Sequence, residues 1–213
     1  MKRYLTQALV DHQAIARHRI FDQGRWHSLV WQAFKPVEGD LGPRRFLYSV
    51  GESSPSRGDV SVLILSDDIP TRPDWCPAQG WVTKPIPDEF LSHSRYAFSL
   101  TANPTISRAH GTRVSLAKRI SPDDDPEPRL LEWLERKGVT GGFRIYRGKT
   151  SVIPGEVQTF RTSDGSQTIT IHYVRYRGVL EVTDKPLFAQ SFNSGIGRAK
   201  SYGAGMLLLK PIQ

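Results

Sequence analysis

The order of hydrophobic periodicities in this chain runs through the same cycle twice, and that repetition constrains the fold more than any single motif. In the first half, Tyr4–Val10 is a short apolar strand candidate. Residues 26–34 then place apolar side chains at 26, 29, 30, 33 and 34, the i, i+3, i+4, i+7, i+8 stripe of an amphipathic helix. Segments 45–50 and 60–65 read as paired strands around a loop at 51–58, a weak second helix follows, and the proline-rich stretch 70–87 interrupts regular structure.

The second half repeats the order: a strand at Arg95–Ala102, a helix at 126–137, strands near 143–153, 156–161 and Thr168–Val182, a second helix at 184–192, and a buried strand at 206–209. Acidic residues open the helix at 126–137 and Arg136 with Lys137 close it, which complements the helix dipole. Two βαββαβ units account for this order better than a doubly wound sheet does. The expected fold is therefore α+β, two tandem ferredoxin-like (RRM-like) domains, with residues 1–92 in the first and 93–213 in the second.

The net charge of +8 is unevenly shared. Residues 1–100 hold 12 Lys+Arg against 11 Asp+Glu, whereas residues 101–213 hold 17 against 10. A one-sided basic field concentrates polyanions, and nucleic acid is the usual partner. Cys76 is the only cysteine, which excludes an intrachain disulfide and argues against a cysteine-based zinc site. With no apolar run near the roughly 18 residues of a membrane span, and no signal-like N-terminus, the expected setting is the cytoplasm, away from membranes.

Residues 195–205 read Gly-Ile-Gly-Arg-Ala-Lys-Ser-Tyr-Gly-Ala-Gly. Glycines let backbone N–H groups approach phosphate, and Arg198 and Lys200 supply positive charge. The pattern is neither a dinucleotide fingerprint nor a P-loop, because position 200 is Lys and the loop leads into a strand. It suits a phosphate backbone; a tight helix-to-strand connection whose glycines serve only packing explains it too. His27 stands at the border of the 26–34 stripe, roughly 90° from its centre on a 100°-per-residue wheel, and so should be partly exposed. A histidine there can exchange a proton with a ribose 2′-hydroxyl or a leaving 5′-oxygen; an ordinary helix-border histidine fits the position equally. Basic and aromatic residues alternate through 143–149 and 172–177, placing cations and stacking rings on one strand face or, more plainly, on a solvated sheet surface. Arg161 precedes the turn expected at 163–166, the tip of a projecting hairpin. The six histidines show no ligand-like clustering, so no metal site and no cofactor are expected.

Several stretches together resemble one family: Ser-Leu-Thr-Ala-Asn-Pro at 99–104, Gly-Thr-Arg-Val-Ser-Leu at 111–116, Trp-Leu-Glu-Arg-Lys-Gly at 133–138 with Gly142-Phe143, and Gly-Val-Leu-Glu-Val-Thr-Asp at 178–184 followed by 195–209. In order and spacing they are similar to the CasE endoribonucleases of type I-E CRISPR systems. The resemblance implies recognition of a CRISPR repeat hairpin in precursor RNA, and metal-independent cleavage by 2′-hydroxyl attack that leaves a 2′,3′-cyclic phosphate and a 5′-hydroxyl. It also implies retention on the mature guide RNA beside the other Cascade subunits. By position His27 matches the catalytic histidine. Lys149 is the candidate cation for the crowded phosphorane and Arg147 the fallback. Arg108, Arg113, Arg147, Arg161, Gly195, Gly197, Arg198 and Lys200 are the expected RNA contacts. One departure stands out: some members carry tyrosine three residues before the histidine, where this chain has Gly24. Tyr146 or Ser151 is then a substitute hydroxyl, and a non-catalytic hairpin-binding subunit is the rival reading.

Overall fold

The computed structural model describes residues 2–34, 46–54, 58–107, 113–116, 124–162 and 165–212. Its elements run β1 (Tyr4–Val10), α1 (His12–Arg17), α2 (Gln23–Trp31), β2 (Phe46–Ser53), β3 (Val60–Ser66), β4 (Trp81–Pro85), β5 (Arg95–Ala102), β6 (Thr105–Ser107), β7 (Arg113–Ser115), α3 (Glu127–Gly141), β8 (Phe143–Ile145), β9 (Ser151–Arg161), β10 (Thr168–Val182), α4 (Lys185–Ser194) and β11 (Leu207–Pro211). They form two compact units. The first comprises Met1–Pro87 with Phe160–Ile169 and Ser201–Gly203; the second comprises Asp88–Thr159, Thr170–Lys200 and Ala204–Gln213. Two short stretches thus join unit one, although the expected division at 92 and 93 assigns them to the second half.

Unit one is an antiparallel sheet in the order β2-β3-β1-β4. The pleat sends Ala8 and Val10 of β1, Phe46 and Tyr48 of β2, and Val62 and Ile64 of β3 into one core. Trp26, Leu29 and Val30 of α2 enter the same core, so the apolar stripe read from the sequence is its buried face. The helix runs 23–31 rather than 26–34: Asp22 caps its start by accepting a hydrogen bond from the Arg25 N–H at 2.8 Å, and past Trp31 the N–H groups of Gln32, Ala33 and Phe34 bond three residues back. Two elements went unread: the six-residue α1, and β4 inside the proline-rich stretch. The weak second helix of this half is not found among the described residues; 3-10 turns at Ala78–Gly80 and Asp88–Leu91 stand there.

Unit two repeats the topology, with order β11-β5-β10-β8 and β9 paired to β10. In both units the spatial order is fourth, first, third and second strand, and the fold is the α+β, doubly ferredoxin-like architecture expected. Tyr96, Phe98, Leu100 and Ala102 alternate inward from β5 and meet Leu130, Trp133 and Leu134 of α3 and Phe188 of α4. Trp133 stacks near Tyr176 at 6.1 Å and 19°, and the Tyr176 hydroxyl donates to the Leu130 carbonyl at 3.2 Å, which satisfies a buried polar group.

Two readings need correction here. Helix α3 continues to Gly141, so Arg136 and Lys137 lie short of its last turn, where no basic residue is found. The strand expected over 143–153 breaks after Ile145: residues Arg147–Lys149 form a 3-10 turn, with the Lys149 N–H and the Thr150 hydroxyl both donating to the Tyr146 carbonyl. Alternating aromatic and basic residues mimic a strand there, but the chain turns.

Candidate functional site

His27 is set by α2. Its neighbour Trp26 is buried edge-on against Trp75 at 6.3 Å, and the Trp75 indole N–H donates to the Leu29 carbonyl at 2.9 Å, which fixes the helix on the sheet. One position along, the His27 ring is half-exposed. Trp31, one helical turn further, meets it at 6.1 Å and 84°. The ring of Tyr202 meets it at 5.3 Å and 49°. Behind Tyr202 lies Phe160, at 4.9 Å and 60°. Phe160 in turn occupies space left by Gly24: a Cβ on residue 24 would stand 2.7 Å from Phe160 Cδ2. The backbone beside Tyr202 is tied down by the buried Tyr48, whose hydroxyl donates to the Ser201 carbonyl at 3.0 Å. All these residues belong to unit one. Arg161, exposed at the end of β9, belongs to it as well.

The glycine loop behaves differently from the simplest expectation. Gly195, Gly197 and Gly205 have φ of 75°, 80° and 88°. Yet the N–H of Gly195 donates to Ser191 (2.9 Å), that of Ile196 to Gly205 (2.8 Å) and that of Gly205 to Thr101 (2.7 Å), so these donors face the protein itself. A Cβ on Gly205 would fall 2.6 Å from the Ile196 carbonyl oxygen, and one on Gly197 3.2 Å from the Trp133 ring. These glycines allow a tight chain path, and the N–H groups of Gly195, Ile196 and Gly205 are already taken. Arg198 is exposed and Lys200 half-exposed. Both line an open polar groove of about 440 Å³ in unit two, together with Lys137, Thr140, Ser191 and Thr105. Lys137 was not foreseen as part of it; its ammonium lies 5.8 Å from the Trp133 ring, a cation–π distance that steers the side chain.

The remaining expected residues fall as follows. Arg147 is held by Glu135 through two hydrogen bonds of 2.6 Å, and this pairing holds the Glu135 carboxyl below the usual carboxylate range. Lys149, two residues on, is exposed and makes no ion pair among the described residues. The Tyr146 hydroxyl bonds to Glu181, which also takes both Arg144 Nε and Nη2; the Ser151 hydroxyl donates to the Arg177 carbonyl at 3.3 Å. Both hydroxyls lie in unit two, whereas His27 lies in unit one. Arg113 opens β7 opposite Ser107. Arg108 lies outside the described residues. Tyr202, Phe160 and Lys137 are the residues that sequence reasoning missed, although Tyr202 lies inside the 195–205 segment and Lys137 inside the 133–138 stretch.

A family model described as CRISPR associated protein matches residues 3–211. The CRISPR-associated endoribonuclease Cse3 of Thermus thermophilus is 30% identical over 184 residues, which cover 80% of this chain and 82% of that one. The chain belongs to the CasE-type family of CRISPR-associated proteins. Among solved structures, Thermus thermophilus Cse3 bound to an RNA representing a pre-cleavage complex superposes on this CasE-type chain with a TM-score of 0.73 at 24% identity, covering 99% of this chain and all of that one. Cas6e of Escherichia coli K-12 gives 0.69 at 26% identity, covering 98% and 100%. Among the described residues of this family member, no helix is long and apolar enough to cross a membrane.

Proposed function

We propose that this protein is a metal-independent endoribonuclease that cleaves CRISPR repeat hairpins in precursor RNA and stays on the mature guide RNA with the other Cascade subunits in the cytoplasm. The observation that carries the reading is the half-exposed His27 ring on a capped helix, packed by Trp31 and Tyr202. Family membership supports it, since the Thermus relative is an endoribonuclease.

RNA brings its own nucleophile, so the protein has three tasks. It must move a proton, stabilise charge on the phosphorane, and hold the chain in line for attack. His27 takes the proton from the 2′-hydroxyl or delivers one to the departing 5′-oxygen, a contribution of roughly 10²- to 10⁴-fold. The 2′-oxygen forms a bond to phosphorus as the bond to the 5′-oxygen breaks, giving a cyclic phosphate and a hydroxyl. Exposed Lys149 is the cation we assign to the phosphorane, with Arg147 second because Glu135 already holds it. Arg198 and Lys200, with Arg108, Arg113 and Arg161, bind the backbone; Gly195 and Gly197 serve by shaping the loop that presents Arg198.

Incubation of purified protein with its repeat RNA in EDTA tests the reading. Cleavage to a 2′,3′-cyclic phosphate is expected, and a H27A variant should bind the hairpin without shortening it. Loss of wild-type cleavage in EDTA, restored by Mg²⁺, contradicts metal independence; a wild-type protein that shifts the RNA on a gel and never cuts it is a binding subunit.

A further inference from the structure

We infer that Tyr202 is a positioning residue for His27, its ring fixing the orientation in which the imidazole meets the RNA; this rests on the reading of His27 as the proton-transfer group. A helix fixes where a histidine starts but leaves two side-chain torsions open, and proton transfer needs one nitrogen within hydrogen-bond reach of one oxygen. On the half-exposed His27, Trp31 approaches at 84°, and Tyr202 covers a second side at 5.3 Å. Two rings at different inclinations define a slot, because rotating the imidazole drives it into one or the other.

Tyr202 is itself braced. Phe160 packs against it at 4.9 Å. Phe160 can stand there because residue 24 has no side chain: a Cβ would come within 2.7 Å of its Cδ2 and 3.1 Å of its Cε2. The carbonyl before Tyr202 is gripped at 3.0 Å by the hydroxyl of Tyr48, which is fully buried. The line of support therefore runs from Tyr48 and Gly24, through Ser201 and Phe160, to Tyr202 and His27. Gly24 acquires a specific purpose: it makes room for the aromatic brace.

The test compares Y202L, Y202F and H27A in single-turnover cleavage at saturating RNA, with hairpin affinity measured alongside. Misplacing a reacting group by about 1 Å costs on the order of 10²-fold, so Y202L is expected to cleave about 10- to 100-fold more slowly with affinity kept within about threefold. Y202F, which keeps the ring, is expected to restore the rate to within about threefold of wild type. An unchanged rate in Y202L, or weaker binding with an unchanged saturating rate, overturns the inference; so does a Y202F variant as slow as Y202L, which would assign the effect to the hydroxyl. If Y202L does not fold, G24A decides from the other end, since its Cβ displaces Phe160: slowed cleavage with retained affinity is expected, and an unaffected rate contradicts the brace. The His27 Hε1 resonance in the free protein gives a readout independent of activity. It should move in Y202L and stay near its wild-type place in Y202F, and an unmoved signal in Y202L sinks the proposal. Normal cleavage by H27A removes the proton-transfer reading, whereas a dead H27A beside a fully active Y202L removes only the positioning role.

Discussion

The His27 cluster and the groove lined by residues 195–198 and Lys200 are built from opposite materials. Around His27 the rings of Trp31 and Tyr202 meet the imidazole, and Phe160 packs behind Tyr202. The groove instead gathers Lys137, Arg198 and Lys200 with threonine and serine hydroxyls on an open surface. Aromatic walls supply orientation with little charge; the groove's cations supply attraction. The comparison teaches a division of labour, in which damage to the first should appear in the rate of a bound complex and damage to the second in the affinity.

The largest effect that could break this division is H27A, for which we expect a fall of about 10²- to 10⁴-fold in single-turnover cleavage with affinity nearly unchanged. Next is the double variant R198A/K200A. If each cation neutralises one phosphate, the slope of log K against log salt should become shallower by about two, with weaker binding in low salt and an undiminished rate at saturating RNA. Filter binding over a salt series measures it, and an unchanged slope removes these cations from the interface. D22A sharpens the comparison on the stability side. Losing the cap of α2 should cost about 1 kcal/mol in urea denaturation, a consequence of the bond from the Arg25 N–H.

The smallest effect concerns two ion pairs far from this contrast in kind. The Glu181 carboxyl is held below the usual range first by the Tyr146 hydroxyl and then by Arg144, and Glu135 by Arg147. A carboxylate depressed on folding adds stability that is complete above its unfolded value near pH 4.3. That stability is lost as pH falls through the lower folded value. Both pairs are partly exposed, so solvent screening keeps the contribution small. Melting temperatures from pH 6 to 3 should fall on acidification, and E135Q and E181Q should each flatten the lower end of the curve.

Much of this architecture can be read directly from residue order. Strand β5 and helix α2 declare themselves through periods of two and 3.6, since each turns one face into a core. Strand β4 hides because Pro77 and Pro87 flank it and Pro85 is its last residue, although its pairing with β1 forms normally. Residues 147–149 deceive in the other direction, as their alternation continues where the chain has already turned. In the site, the half-exposure of His27 follows from its place on the wheel. The approach of Tyr202 does not, because local pattern reports which way a side chain faces and never which distant segment will meet it. The glycines of 195–205 show the same limit: their number suggests a phosphate cradle, while the N–H groups of Gly195 and Gly205 bond to Ser191 and Thr101.

The central claim is that one region cuts and the other holds. The most direct test measures cleavage rate at saturating RNA and hairpin affinity together, for H27A and for R198A/K200A. The account predicts a crossed result: H27A binds normally and does not cut, whereas R198A/K200A binds weakly and, once bound, cuts at the wild-type rate. Parallel losses in both quantities for both variants would contradict it.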